Sequence, residues 1–126
     1  MTAETIENSD IRMRLRIHFG NRLMLGPGKA DLLEGIREAG SIAAAGRAMS
    51  MSYKRAWSLV EEMNAAFGEP LVSSSRGGTR GGGAHLTKTG EAVLSHYRKL
   101  EQITRAAGEE QIGAIEDLLG DMSVNE

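Results

Sequence analysis

Three histidines, a run of serines and two adjacent carboxylates are the residues on which catalytic chemistry would have to draw. His18, His85 and His96 show no metal-ligand spacing of the H-E-x-x-H kind. Ser73, Ser74 and Ser75 lack the flanking glycines of a nucleophile elbow. Glu61 and Glu62 are consecutive, and on a helix consecutive side chains diverge. There is no cysteine, which excludes a thiolate zinc site, a disulfide scaffold and a thiol nucleophile. The glycine tract "RGGTRGGG" (76–83) has no Gly-Lys-Ser/Thr after it, and "GPGK" (26–29) lacks the upstream glycine of a phosphate-binding loop. The expectation is therefore a protein that is not an enzyme and has no catalytic residue, no metal and no cofactor.

A different set of residues suits binding to a polyanion. Lys54 and Arg55 stand together at the start of a helical pattern, among Ser52, Tyr53, Trp57 and Ser58. Arg76 and Arg80 lie in the glycine tract, where the absence of side chains lets backbone approach a ligand closely. The net charge of −2 looks adverse, but its distribution is not. Residues 1–10 carry three acids and no base, and residues 106–126 carry six acids and no base. All 15 basic residues fall in 11–105 against 8 acids, so that segment is +7.

The elements that must position these groups follow from periodicity. "IRMRLRIHF" (11–19) alternates strictly, with Ile11, Met13, Leu15, Ile17 and Phe19 opposite Arg12, Arg14, Arg16 and His18, the pattern of a half-buried strand. Gly20-Asn21 suits a two-residue hairpin turn, and "RLML" returns as a shorter strand. Gly26-Pro27-Gly28 is expected to break the chain. Leu32, Leu33, Ile36 and Ala39 predict a helix over 29–39, ended by Gly40. Ser41 can cap a short, Ala-rich helix over 42–49, and Ser52 can cap a third running to about Phe67. In the third, Ala56, Val60, Met63 and Phe67 form an inward stripe. "LVSSS" (71–75) and "AHL" (84–86) read as a hairpin whose tip is the glycine tract. Thr87 can cap a long helix with Val93, Tyr97, Leu100 and Ile103 on one stripe, and a last amphipathic helix follows Gly108 over 109–119.

The fold class expected is mainly α with small β hairpins, a winged helix-turn-helix carrying a long C-terminal helix. A short helix joined tightly to a second lets the second lie in a DNA major groove about 12 Å wide while the first braces it. The polar residues at the start of 52–67 would then face base edges and phosphates. Trp57 has two readings at this stage, a core residue or a flank residue in contact with DNA. A soluble winged-helix module that binds protein partners without reading DNA is the alternative function.

The stretch from "ADLLEGIREAGSIAAAGRAMSMSYKRAW" to "LTKTGEAVL" resembles the N-terminal DNA-binding domain of ModE-type molybdate-dependent transcriptional regulators, and more distantly the LysR-type winged helix. The specific pieces are "GSI" (40–42), "SYKRAW" (52–57), "EMN" (62–64), "GGGA" (81–84) and "LTKTGE" (86–91). The resemblance implies that helix 42–49 braces helix 52–67 in the major groove. By position it matches Ser52, Tyr53, Lys54 and Trp57 to the start of the family's recognition helix and Arg76 to Ala84 to its wing; together with the reading of the residues above, the DNA contacts expected are Ser41, Ser52, Tyr53, Lys54, Arg55, Trp57, Ser58, Arg76 and Arg80. It also implies a homodimer built by the long helix through Val93, Tyr97, Leu100 and Ile103, acting on a palindromic operator of double-stranded DNA. The organisation expected is an acidic, flexible 1–10, a DNA-binding unit over 11–105 and an acidic helix and tail over 106–126. A molybdate-sensing domain is not expected in this length of chain, so molybdate binding is not expected either, although the regulated genes would concern molybdenum. No apolar run reaches the roughly 20 residues of a membrane span, and the N-terminus is acidic, so a cytoplasmic protein is expected.

Overall fold

A computed structural model describes residues 10–75 and 83–120. The element order is β1 (Ile17–Phe19), β2 (Leu23–Leu25), α1 (Pro27–Ala39), α2 (Ile42–Ala48), α3 (Tyr53–Ala66), β3 (Val72–Ser75), β4 (Gly83–Leu86), α4 (Lys88–Ala107) and α5 (Glu109–Asp117). β1 pairs with β2 and β3 with β4, each as a separate antiparallel hairpin.

Three caps anticipated from single hydroxyl residues are formed. Ser41 accepts from the Ala44 N–H, Ser52 from the Arg55 N–H and Thr87 from the Gly90 N–H, each at 3.0 Å. Each satisfies one of the backbone donors that a helix start leaves open. Gly40 closes α1 in the left-handed region at φ 72°, as its position after Ala39 requires.

α1, α2 and α3 enclose a core of Leu32, Leu33, Ile36, Ala45, Ala56, Val60 and Met63, all within 1% of full burial. Close helix approach depends on small residues. A Cβ on Gly35 would lie 3.2 Å from that of Ala45, and one on Gly46 would lie 2.9 Å from that of Ala56. The turn between α2 and α3 places Ser50 at φ 59°, a left-handed conformation unusual for a residue with a side chain. The bonds Ser50 N–H to Arg47 O and Met51 N–H to Gly46 O hold it there.

Four expectations need correction. Only Ile17–Phe19 of the alternating segment forms a paired strand, because its partner β2 is three residues long before the chain turns into α1. Residues 11–16 instead run along α4, where Tyr97 Oη donates to Leu15 O at 2.6 Å and Arg105 to Ile11 O at 2.8 Å. The β1–β2 turn holds three residues, Gly20, Asn21 and Arg22, since Phe19 pairs with Leu23. Gly20 does take positive φ, at 56°. Pro27 does not break the chain; it opens α1, where its missing N–H costs nothing and its fixed φ is already helical. Tyr97, placed on a stripe facing a second subunit, is 2% exposed in this chain's own core.

Lys29 is buried on α1 and ion-pairs with Glu62 of α3 at 3.4 Å. Arg98 on α4 ties that helix to α1 through Glu34 at 2.7 Å and Asp31 at 2.8 Å, and also meets Glu101. Burial opposes the Arg98 charge, but the hydrogen bonds that Arg98 donates to Asp31, Glu34 and Glu101 outweigh it and hold the guanidinium above its ordinary pKa. No helix among the described residues is long and apolar enough to cross a membrane.

Candidate nucleic-acid interface

α3 is divided sharply by burial. Ala56, Leu59, Val60 and Met63 are buried, whereas Ser52, Tyr53, Lys54, Arg55 and Ser58 are exposed around the first turn and a half. Leu59 was not part of the anticipated stripe, yet it fills the core at 6% exposure. The exposed residues surround a helix start whose free N–H groups and dipole favour phosphate oxygens. Lys54 and Arg55 add two cations there, and Arg47 a third in the last turn of α2.

Trp57 partly joins the two readings left open for it. Its ring is half-buried against the core, and it also lines an open cleft of about 640 Å³ together with Ser41, Tyr53, Ser74, Ser75 and Gly83. Tyr53 packs edge-on to the Trp57 ring, centroids 6.1 Å apart and planes at 77°. Trp57 Nε1 is buried and has no hydrogen-bond partner among the described residues. Ser41, Tyr53 and Trp57, chosen separately from sequence, thus share one cleft between the helix-turn-helix and the second hairpin. Lys54, Arg55, Ser52 and Ser58 flank the helix start outside its lining. Arg76 and Arg80 lie outside the described residues.

The second hairpin is held against the helices at three points. The Ala84 N–H donates to Gly40 O at 2.9 Å, at the joint between α1 and α2. Asn64 of α3 accepts from the Leu71 and Val72 N–H groups on Oδ1 and donates from Nδ2 to Val72 O. Thr87 bonds Pro70 O and Leu71 O, while Gly90 lets α4 approach so closely that a Cβ there would sit 2.1 Å from Leu71 O. The motif "LTKTGE" is thereby a joint: Thr87 caps, Thr89 bonds Glu69 at 2.6 Å, Gly90 admits Leu71, and Glu91 meets Arg37. His18, His85 and His96 are exposed on β1, β4 and α4, three separate elements.

The chain matches no protein-family model. Transcriptional regulator ModE of Yersinia pestis is 38% identical over 93 residues, 74% of this chain and 35% of the relative. Molybdenum-pterin-binding protein MopA of Rhodobacter capsulatus is 40% identical over 85 residues, 67% of this chain and 32% of the relative. The fold is that of a winged helix, and relatives named ModE transcriptional regulator match the N-terminal region of the chain. The chain spans about a third of the length of these relatives. Among solved structures, the chain is similar in fold to the DNA-binding domain of CbnR in complex with DNA (23% identical, TM-score 0.55, 70% of this chain and 95% of that one). It is also similar to full-length LysG of Corynebacterium glutamicum, a LysR-type regulator (26% identical, TM-score 0.52, 71% of this chain and 29% of that one).

Sequence reasoning missed Ser74, Ser75 and Gly83 as neighbours of Tyr53 and Trp57 of α3. Register puts Ser74 opposite Ala84 and Ser75 opposite Gly83 at the base of the wing. Their nearness to Ser41 and Trp57 follows from the Ala84–Gly40 bond, a contact between segments 44 residues apart that no local pattern announces.

Proposed function

We propose that the chain is a transcriptional regulator that binds double-stranded DNA, with α3 in the major groove and the wing beside it. The observation that carries this reading is the division of α3, apolar face buried and Ser52, Tyr53, Lys54, Arg55 and Ser58 exposed at its N-terminal end. In this reading Lys54 and Arg55 reach phosphate or guanine edges. Tyr53 and Trp57 supply apolar contact at the cleft, and Ser41, Ser52 and Ser58 donate to the backbone of the duplex. Arg76 and Arg80 of the wing grip the flanking groove.

The working form is a homodimer on a palindromic operator, with Leu100 and Ile103 of α4, 38% and 54% exposed, contributing apolar surface to the interface. The half-buried Val93 lies on the same helix and Tyr97 supports it from inside. In this reading the regulated genes concern molybdenum, which is supported by relatives named as a molybdenum-pterin-binding protein and a molybdenum transport protein. Selection of duplexes from a random pool by the purified chain tests the proposal. Enrichment of an inverted repeat supports it, and recovery of unenriched DNA, or of none, contradicts it.

A further inference from the structure

Near its start α4 is pinned to the wing, where Gly90 abuts Leu71 O and Thr87 bonds Pro70 O and Leu71 O. A helix held only at one end can swing, and a second directional attachment fixes its axis. Leu94 and Tyr97 are buried further along, but apolar packing is not directional. Arg98 supplies the directional attachment about two turns beyond Gly90. Its Nε and Nη2 donate to Glu34 Oε1 at 3.1 and 2.7 Å. Nη2 also donates to Asp31 Oδ1 at 2.8 Å, and Nη1 to Glu101 Oε1 at 3.2 Å. All three guanidinium nitrogens are engaged, with two of the carboxylates on α1 and one on α4 itself.

The pairing also has a sense. Glu91 meets Arg37 whereas Arg98 meets Asp31 and Glu34, so α4 runs antiparallel to α1 along this edge. The Arg98 side chain is 30% exposed, better shielded than Arg37 and Glu91 at 44% and 48%. One guanidinium serves three carboxylates. Its removal would replace attraction between the two helices with repulsion of Asp31 and Glu34 by Glu101. α1 is in turn joined to α3 by the Lys29–Glu62 pair at 3.4 Å. Leu100 and Ile103, the exposed residues of the proposed subunit contact, follow Arg98 on α4. Arg98 thus stands between that contact and the helix proposed to read DNA.

We infer that Arg98 is a positioning residue that sets the spacing of the two half-sites the dimer accepts. By tying α4 to α1 it fixes the angle at which each subunit presents α3 to the duplex. Over the roughly 30 Å of a 20-residue helix, a tilt of about 10° moves one end by about 5 Å, more than the ~3.4 Å between base pairs. A small loss of angular definition therefore reaches the scale on which a dimer tells one spacer length from the next. The inference rests on the reading of the chain as a dimer on an inverted repeat. It separates two properties, since Lys54 and Arg55 on α3 still read a half-site when the tie is cut.

The test uses the full chain and the inverted repeat enriched by selection, rebuilt with its spacer one and two base pairs longer and shorter, and a duplex holding one half-site. The parent is expected to prefer its own spacing by about tenfold or more. Arg98→Met should hold the single half-site within about twofold of the parent while its preference among spacings falls below about threefold. Arg98→Lys keeps the cation but cannot engage three carboxylates through a planar fork, and should fall between the two. Arg98→Gln, which keeps a donor, gives the same comparison in a milder form should the methionine variant not fold. A parental preference in the folded methionine or glutamine variant overturns the inference, as does an equal loss on every duplex, the single half-site included, which marks a merely structural role. Lysine no better than methionine contradicts the part assigned to charge. A parent that is monomeric by sedimentation, or that enriches no inverted repeat, fails the dimer or DNA reading instead, and the inference with it.

Discussion

Asn64 Oδ1 accepts the backbone N–H of Leu71 at 2.8 Å, which fixes the start of the wing to the last turn of the helix proposed to read DNA. The same oxygen takes the Val72 N–H at 3.1 Å, and Nδ2 donates back to Val72 O at 3.1 Å. One side chain therefore satisfies three backbone groups at a point where the chain leaves a helix and enters a strand.

Asn64→Ala should lower stability by about 2–4 kcal/mol, since two donors and an acceptor lose partners in a partly buried place. Asn64→Asp should cost less, because it keeps an acceptor for both N–H groups. Urea unfolding of the two variants measures the order, and equal costs would contradict the assignment.

Gly90 and Gly113 make a matched pair. A Cβ at Gly90 would lie 2.1 Å from Leu71 O, whereas one at Gly113, inside α5, meets nothing within 4 Å. Gly90→Ala should destabilise by about 3 kcal/mol or more through overpacking against backbone. Gly113→Ala should stabilise by up to about 1 kcal/mol through helix propensity. Thermal unfolding reads both signs.

Much of this scaffold is legible in single residues. Ser41, Ser52 and Thr87 announce helix starts because a hydroxyl at that position serves a nearby N–H, a local bond needing no tertiary information. The stripe Ala56, Val60 and Met63 is equally local. What is not legible depends on partners distant in sequence. Residues 11–16 keep the alternation of a strand, but β2 is too short to pair with them and α4 takes them up. Tyr97 sits on an apolar stripe that could face either inward or outward, and the carbonyl of Leu15, 82 residues away, decides for inward. Of the interface, Lys54, Arg55 and Trp57 stand out by type and position. Ser74 and Ser75 emerge only when the wing folds against Gly40.

Tyr97 also gives the fold an alkaline limit. Burial, then the charge of Glu101, raises its pKa above the usual 10.0. As pH climbs past 10 the unfolded chain releases the phenol proton first, so unfolding is favoured and stability falls. Tyr97→Phe should cost about 1 kcal/mol at neutral pH through the lost bond to Leu15 O. It should also reduce the loss of stability above pH 10. Urea midpoints of both proteins across pH 7–11 check the two effects.

The account turns on whether Lys54 and Arg55 at the exposed start of α3 meet DNA. The direct measurement is the duplex affinity of the Lys54→Ala, Arg55→Ala chain against the parent, by fluorescence anisotropy over a range of salt. Loss of two cationic contacts should weaken binding about 30-fold or more and flatten the log–log salt slope by up to about 2. Unchanged affinity and unchanged slope in a variant that is still folded would contradict it.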